Sequence, residues 1–401
     1  MFYWHAQIAE ANLFPHLGRT AAIILMCMLV AACASRPVSG ALEINSTPAE
    51  GAKVHDILVV TTRQRDAEPD TYFNGERSET VNFADVSISV PPAHKPGMIE
   101  WPRSLPGDPS KDFVARSAAY IDTRQDFRAQ LNKRLSERPA SDREAVLFIH
   151  GYNTLFAEGL YRFTQFVHDR DGQAVPVLFT WASRGQVQDY LYDLNSAAIA
   201  RDALEETLLL LADSNARRIS ILAHSMGNWL LMETIRQMSE SNRQKIGRKL
   251  EIAVLAAPDI DIDLFKSSLR KFGNPDKPFV IVISKDDRAL RLSRALAGGV
   301  ERVGAYSNDQ ELAALGAVVI DVTDLESNDA ANHSKFAELA EFGPEIQQAV
   351  VSGGLSNTSS VTGPTNLGDD LSTFVGATAQ TAVSLPIRII TAPITAVTGG
   401  Y

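Results

Sequence analysis

Residues 218–232, reading RISILAHSMGNWLLM, constrain the fold more than any other stretch of the chain. Ile219, Ile221 and Leu222 form a short apolar run of the kind a buried parallel strand uses, and Trp229, Leu230, Leu231 and Met232 begin a helical pattern. Ser225 falls at the corner between them. A serine on such a corner needs small residues two before and two after it, because the strained backbone there leaves no room for a large side chain. Those positions hold Ala223 and Gly227, so the G-x-S-x-G pattern is met with one glycine replaced. A match of that length is a weak signal alone. It gains force from the strand before it, the helix after it, and partners downstream in the expected order.

The surrounding pattern supplies the fold class. Strands are expected over 145–149, 175–181, 219–222, 252–255, 278–283 and 317–321, and helices over 157–168, 196–212 and 229–238. Strands separated by helices pair in parallel through right-handed crossovers, which gives an α/β architecture with a mostly parallel central sheet and helices on both faces. Upstream, 57–62 (ILVVTT) reads as a first strand and 84–90 as a half-exposed second one, ended by Pro91, Pro92, Pro96 and Gly97. Residues 123–137 have amphipathic helical spacing. Ligand chemistry in such sheets collects at the carboxyl ends of the strands.

A serine hydroxyl becomes a useful nucleophile when a base takes its proton and a third group orients that base. In this sheet type the chain order is serine, acid, histidine. His333, in NHSKF just past the last parallel strand, is the single histidine after Ser225. His224 is expected to point away, and His55, His94 and His168 precede the elbow. The acid is ambiguous between two neighbours in SKDDRAL: Asp287 is preferred and Asp286 is second, with Asp259 and Asp261 in AAPDIDIDLF third. Acyl transfer also needs two backbone N–H groups aimed at the developing oxyanion. Met226 directly follows the nucleophile, and the loop His150-Gly151-Tyr152-Asn153 follows an earlier strand, with Gly151 permitting a tight turn and the Tyr152 amide as donor. His150 reads as a structural loop histidine.

Together FIHGYNT, FTWASRG, LAHSMGN, LAAPDIDIDLF, SKDDRAL and NHSKF resemble a family of largely uncharacterised bacterial α/β-hydrolases, described as esterase/lipase-superfamily proteins and often predicted lipoproteins. The resemblance covers roughly residues 54–342 and departs from the family at Ala223. It implies Ser225, Asp287 and His333 as a triad and Tyr152 and Met226 as oxyanion donors. Trp181, Ser183, Tyr192 and Asp193 match further family positions and are expected to line or support the cleft; His150 and Asn153, from the loop after 145–149, are further candidates for it. The expected activity is hydrolysis of a carboxylic ester through an acyl-enzyme on Ser225. Thioester or amide cleavage by the same triad, or a non-catalytic envelope binding or assembly role on a hydrolase scaffold, are the alternatives. The family carries no substrate with it.

The chain of 401 residues carries a net charge of −10 and no basic block, which argues against a nucleic-acid partner. It shows no metal-ligand spacing such as H-E-x-x-H, no phosphate-cradling loop and no dinucleotide fingerprint, so neither a metal nor a cofactor is expected. The two cysteines, Cys27 and Cys33, lie near the start. Residues 20–32 are apolar but too short to span a bilayer comfortably, where about 20 residues are needed, and they read as the core of a secretory signal. VAAC at 30–33 resembles a lipobox, an ordinary signal peptide or short anchor being the alternative. Residues 1–32 are thus expected as a signal, 33–53 as a tether beginning at an acylated Cys33, 54–345 as the hydrolase domain and 346–401 as a low-complexity tail. The absence of aspartate after Cys33 favours the outer membrane, facing the periplasm. The closing apolar stretch, LPIRIITAPITAVTGGY, reads as an edge strand or as a contact with membrane or partner.

Overall fold

The computed structural model describes residues 39–170, 172–272, 277–327, 329–342 and 387–390. The expected signal and Cys33 lie outside these residues. Among them, no helix is long and apolar enough to cross a membrane.

Ten strands form one sheet: β1 Lys53–Arg65, β2 Phe73–Val90, β3 Val114–Ile121, β4 Glu144–Ile149, β5 Val175–Thr180, β6 Arg218–His224, β7 Leu250–Ala256, β8 Phe279–Ile283, β9 Val318–Asp321 and β10 Arg388–Ile390. Their spatial order is β10-β9-β8-β7-β6-β4-β5-β1-β2-β3. The strands from β9 through β1 pair in parallel, while β10 and the β2–β3 pair are antiparallel additions at the two edges. The mostly parallel α/β sheet is therefore present as expected.

Alternating side chains of each strand feed two separate cores. Leu147 and Ile149 of β4 face one cluster with Leu204, Leu208 and Leu230, whereas Val146 and Phe148 face the other with Leu160, Phe163 and Phe166. The helices contributing these residues are α2 Phe156–Arg170, α4 Arg201–Ala212 and α5 Met226–Gln237. The others are α1 Arg124–Ser136, α3 Tyr190–Ile199, α6 Glu240–Gly247, α7 Ile262–Phe272, α8 Arg288–Leu296 and α9 Asp309–Ala314. The helix expected over 196–212 is two helices, α3 and α4, that meet at Ala200 with no proline or glycine to mark the break.

Three boundaries differ from the sequence reading. β3 was invisible because Ser117, Ala118 and Ala119 lack the bulky alternation that announces a strand. The tether is shorter than 33–53: Leu42 is fully buried, its N–H donates to Asp70 O at 3.0 Å, and Tyr161 OH donates to Ala41 O at 2.8 Å. The tail expected over 346–401 contributes β10, which pairs antiparallel with β9 from Arg388 to Asp321 onward. Of the two readings of that stretch, its residues Arg388–Ile390 follow the edge-strand one.

Candidate active site

β4 pairs with β5 on one side and β6 on the other, so chain direction across the sheet reverses there. This is a topological switch point, the position at which open α/β sheets bind ligands beyond the carboxyl ends of their strands. The loop after β4 carries Gly151 and Tyr152, and the corner after β6 carries Ser225.

Ser225 has φ 52° and ψ −124°, a conformation that costs a non-glycine residue about 1–3 kcal/mol. Its backbone is pinned from both sides. Ser225 N–H donates to Ala256 O at 3.0 Å, and Ser225 O accepts from Asp259 N–H at 3.2 Å and from Asn228 N–H and Nδ2 at 3.1 Å. Asn228 Nδ2 also reaches Ala256 O at 2.9 Å, so this one amide ties the elbow to β7. Small neighbours are needed as the sequence implied. A Cβ on Gly227 would lie 2.4 Å from His150 O, and one on Gly151 would lie 2.7 Å from Ser225 Cβ. Ala223 is fully buried in β6 without disturbing its pairing to β4 and β7. Met226 occupies the first turn of α5, where amides lack intrahelical acceptors.

His333 Nδ1 lies 2.7 Å from Asp287 Oδ2. The other oxygen of Asp287 accepts Leu290 N–H at 2.9 Å and so caps α8, which fixes the carboxylate without help from the histidine. Burial opposes charge on His333, but the Asp287 charge and hydrogen bond outweigh it and raise its pKa above the ordinary value. Asp286 turns elsewhere, to Lys335 Nζ at 2.9 Å and Asn332 Nδ2 at 2.6 Å, and anchors the loop that carries His333. Asp259 is also buried but pairs with Ser293 Oγ at 2.6 Å and Arg302 Nε at 3.2 Å. Neither reaches His333 Nδ1. Asp261 only caps the start of α7, its Oδ1 accepting Asp263 N–H at 2.9 Å.

His224 departs from the expectation that it points away. Its ring centroid lies 4.7 Å from that of His333, and its Nε2–H donates to His333 O at 3.1 Å. Burial, then the charge of His333, pushes its pKa well down, so it packs as a neutral support. Ser225 and His333 are not hydrogen-bonded to each other here. In unliganded enzymes such links are often long and tighten with substrate.

The loop after β4 is organised by a buried network. Trp181 N–H can only donate, and it meets His150 Nε2 at 3.1 Å, so Nε2 is unprotonated and Nδ1–H donates to Gly151 O at 2.8 Å. Burial and the charge of Arg63 push the His150 pKa down to about 3. Because N–H and C=O of one peptide point in opposite directions, anchoring Gly151 O turns the Tyr152 amide the other way. Arg63, fully buried, donates to Ser183 O at 2.7 Å, Thr154 O at 2.7 Å and Asn74 O at 3.1 Å, and desolvation lowers its pKa to about 10. Asp193 accepts Asn153 N–H at 3.1 Å and Ser183 Oγ–H at 2.5 Å. Asn153 takes a left-handed φ of 57°.

Of the expected cleft residues, then, several are supports. Trp181 is buried, stacks on His150 and donates from Nε1 to its carbonyl at 3.0 Å. Tyr192 is engaged elsewhere: Arg77 and Arg184 cover its ring, and its hydroxyl donates to Gly75 O at 3.2 Å. Arg63, Asn228 and His224 are the residues whose part the sequence did not reveal. An arginine inside an edge-ward strand carries no local signature, whereas Asn228, three past the serine, sits within the LAHSMGN motif.

A mostly parallel sheet with an elbow serine at its switch point defines a hydrolase scaffold of the α/β class. The chain belongs to a family described as alpha/beta hydrolase of unknown function (DUF900), whose model matches residues 123–351. No curated protein matches the sequence.

Proposed function

We propose that the protein is a serine hydrolase that cleaves a carboxylic ester through an acyl-enzyme on Ser225. The observation that carries this reading is the pairing of buried Asp287 with half-buried His333 at the same sheet end as a serine held on a left-handed corner. With Nδ1 committed to Asp287, Nε2 is the basic nitrogen of His333. As Ser225 Oγ bonds to the acyl carbon, His333 Nε2 takes its proton. The carbonyl electrons move onto oxygen, where the Met226 and Tyr152 amides stabilise them. Collapse expels the alkoxide, which recovers the proton from His333, and water repeats the sequence to free Ser225 and release the acid.

The test is covalent labelling of folded protein with a fluorophosphonate. Wild type should label at Ser225 and Ser225→Ala should not; unlabelled wild type or equally labelled variant refutes the proposal. Parallel assays on p-nitrophenyl esters, acyl thioesters and anilides then rank the acyl groups. We further propose lipid anchoring in the cell envelope, on the sequence of residues 20–33. Palmitate incorporation in cells, lost in Cys33→Ser, checks it.

A further inference from the structure

The histidines set aside by the catalytic argument converge at the other end of the sheet. β1 and β2 are antiparallel with Lys53 opposite Val90, so His55 near the start of β1 and His94 just past β2 lie at the amino end of the parallel strands. α2 returns to that end and delivers His168 and Asp169 in its last turn. The ligand-capable atoms of His94, His168 and Asp169 all lie within 4.8 Å of one another. His94 Nε2 is 2.8 Å from Asp169 Oδ1, and the two side chains are only 5% and 2% exposed.

What distinguishes this cluster from a surface ion pair is the layer behind it. His94 Nδ1 meets Glu100 Oε2 at 2.7 Å. Asp169 Oδ2 accepts Gly97 N–H at 2.8 Å and a hydrogen bond from Gln165 Nε2. His168 Nδ1 meets His55 Nε2 at 3.0 Å. His94 thus has Nδ1 held by Glu100, and Asp169 has Oδ2 held by Gly97 and Gln165, while His94 Nε2 and Asp169 Oδ1 face each other beside the His168 ring. Metal-ligating histidines show this arrangement, because a carboxylate or other partner on one nitrogen sets the tautomer that offers the other. Helix geometry does not force the convergence, since His94 and Glu100 come from a loop distant in sequence from α2.

From this geometry we propose that His94, His168 and Asp169 form a site for a first-row divalent cation, best matched by zinc. Two imidazole nitrogens and one carboxylate oxygen suit that ion, with water completing a tetrahedron. Ligand atoms of such an ion sit about 3.3 Å apart, so the 2.8 Å between His94 Nε2 and Asp169 Oδ1 must widen by roughly half an ångström. Glu100 and His55 are the positioning residues. Being at the sheet end away from Ser225, the ion would clamp the loop after β2 onto the end of α2 and take no part in acyl transfer.

The test uses the full chain without an affinity tag, stripped with chelator and titrated with zinc alone. The expected result is one zinc per chain by elemental analysis, a raised melting temperature, and visible cobalt bands of tetrahedral intensity after substitution. His168→Gln and Asp169→Asn should each weaken zinc binding at least 10-fold, and Glu100→Gln 10- to 100-fold. Ser225 labelling should be the same with and without zinc. Asp169→Asn also loosens the Gly97 amide and can fail to fold, in which case His168→Gln decides. Wild type that takes up no zinc at micromolar concentration overturns the proposal. So does zinc bound equally well by His168→Gln, which would place it elsewhere on the chain.

Discussion

Asp287 does two jobs with two oxygens, and an Asp287→Asn substitution separates them. The asparagine oxygen can keep accepting Leu290 N–H, and asparagine caps helices as well as aspartate. Only the charge opposite the α8 amides is lost, worth about 0.3–1 kcal/mol. On the other side the asparagine NH2 faces His333 Nδ1, where the carboxylate stood at 2.7 Å. Two donors cannot meet, so His333 moves its proton to Nε2 and its lone pair turns from the serine. By the measured precedent of such a tautomer error, turnover should fall about 10⁴-fold, equivalent to about 5.5 kcal/mol of barrier. Asp287→Ala should lose the same activity and, in addition, about 1 kcal/mol of stability with the cap. Ester hydrolysis or probe-labelling rates, beside urea denaturation of the same samples, read both quantities. Asp287→Asn retaining a tenth of wild-type rate, or Asp286→Asn falling as far, would refute the assignment of the acid.

Other outcomes follow from the same geometry. The raised pKa of His333 means that activity is lost as pH falls through that value, and the acid limb of kcat/KM should move to lower pH in the residual activity of Asp287→Asn. His150 is buried neutral with a pKa of about 3 against an ordinary 6.5, so it costs nothing above neutrality and penalises the fold as pH drops from 6.5 toward 3. Between about pH 6.5 and 4.5 the loss is about 2 kcal/mol, and denaturant midpoints of His150→Gln should show that much less acid sensitivity. Gly227→Ala brings a methyl to 2.4 Å from His150 O and should cost about 1–3 kcal/mol together with Ser225 labelling. Arg63→Met strands three carbonyl groups, at about 1–3 kcal/mol each, and should lower the urea midpoint accordingly.

The parallel strands were legible because each is a short run of aliphatic residues between breakers, and burial on both faces demands that composition. The edges were not. β3 pairs small and polar residues against β2, where one face meets solvent and little apolar signal is required. Ser225, Asp287 and His333 are expected in that order because the sheet dictates which loops lie beyond the carboxyl ends of its strands. Asp287 and Asp286 differ by one residue of register, which no sequence pattern separates; in the fold Asp287 caps α8 and faces His333, whereas Asp286 faces Lys335 and Asn332. The parts that stiffen the site rather than react in it left weaker traces. Arg63 acts through carbonyls that any residue could supply, and His224 acts through a ring face and a carbonyl bond.

The pairing of β10 with β9 binds the far end of the chain to the strand that leads toward His333. Arg388 Nη2 meets Asp321 Oδ2 at the last residue of β9, and the same carboxylate sits 3.2 Å from Lys285 Nζ in the loop that precedes Asp287. Truncating the protein ahead of residue 387 would therefore uncover a row of backbone amides and carbonyls on β9 and slacken two loops at once. A terminus that composition alone would let one discard is in this way stitched to the strand behind the proposed base.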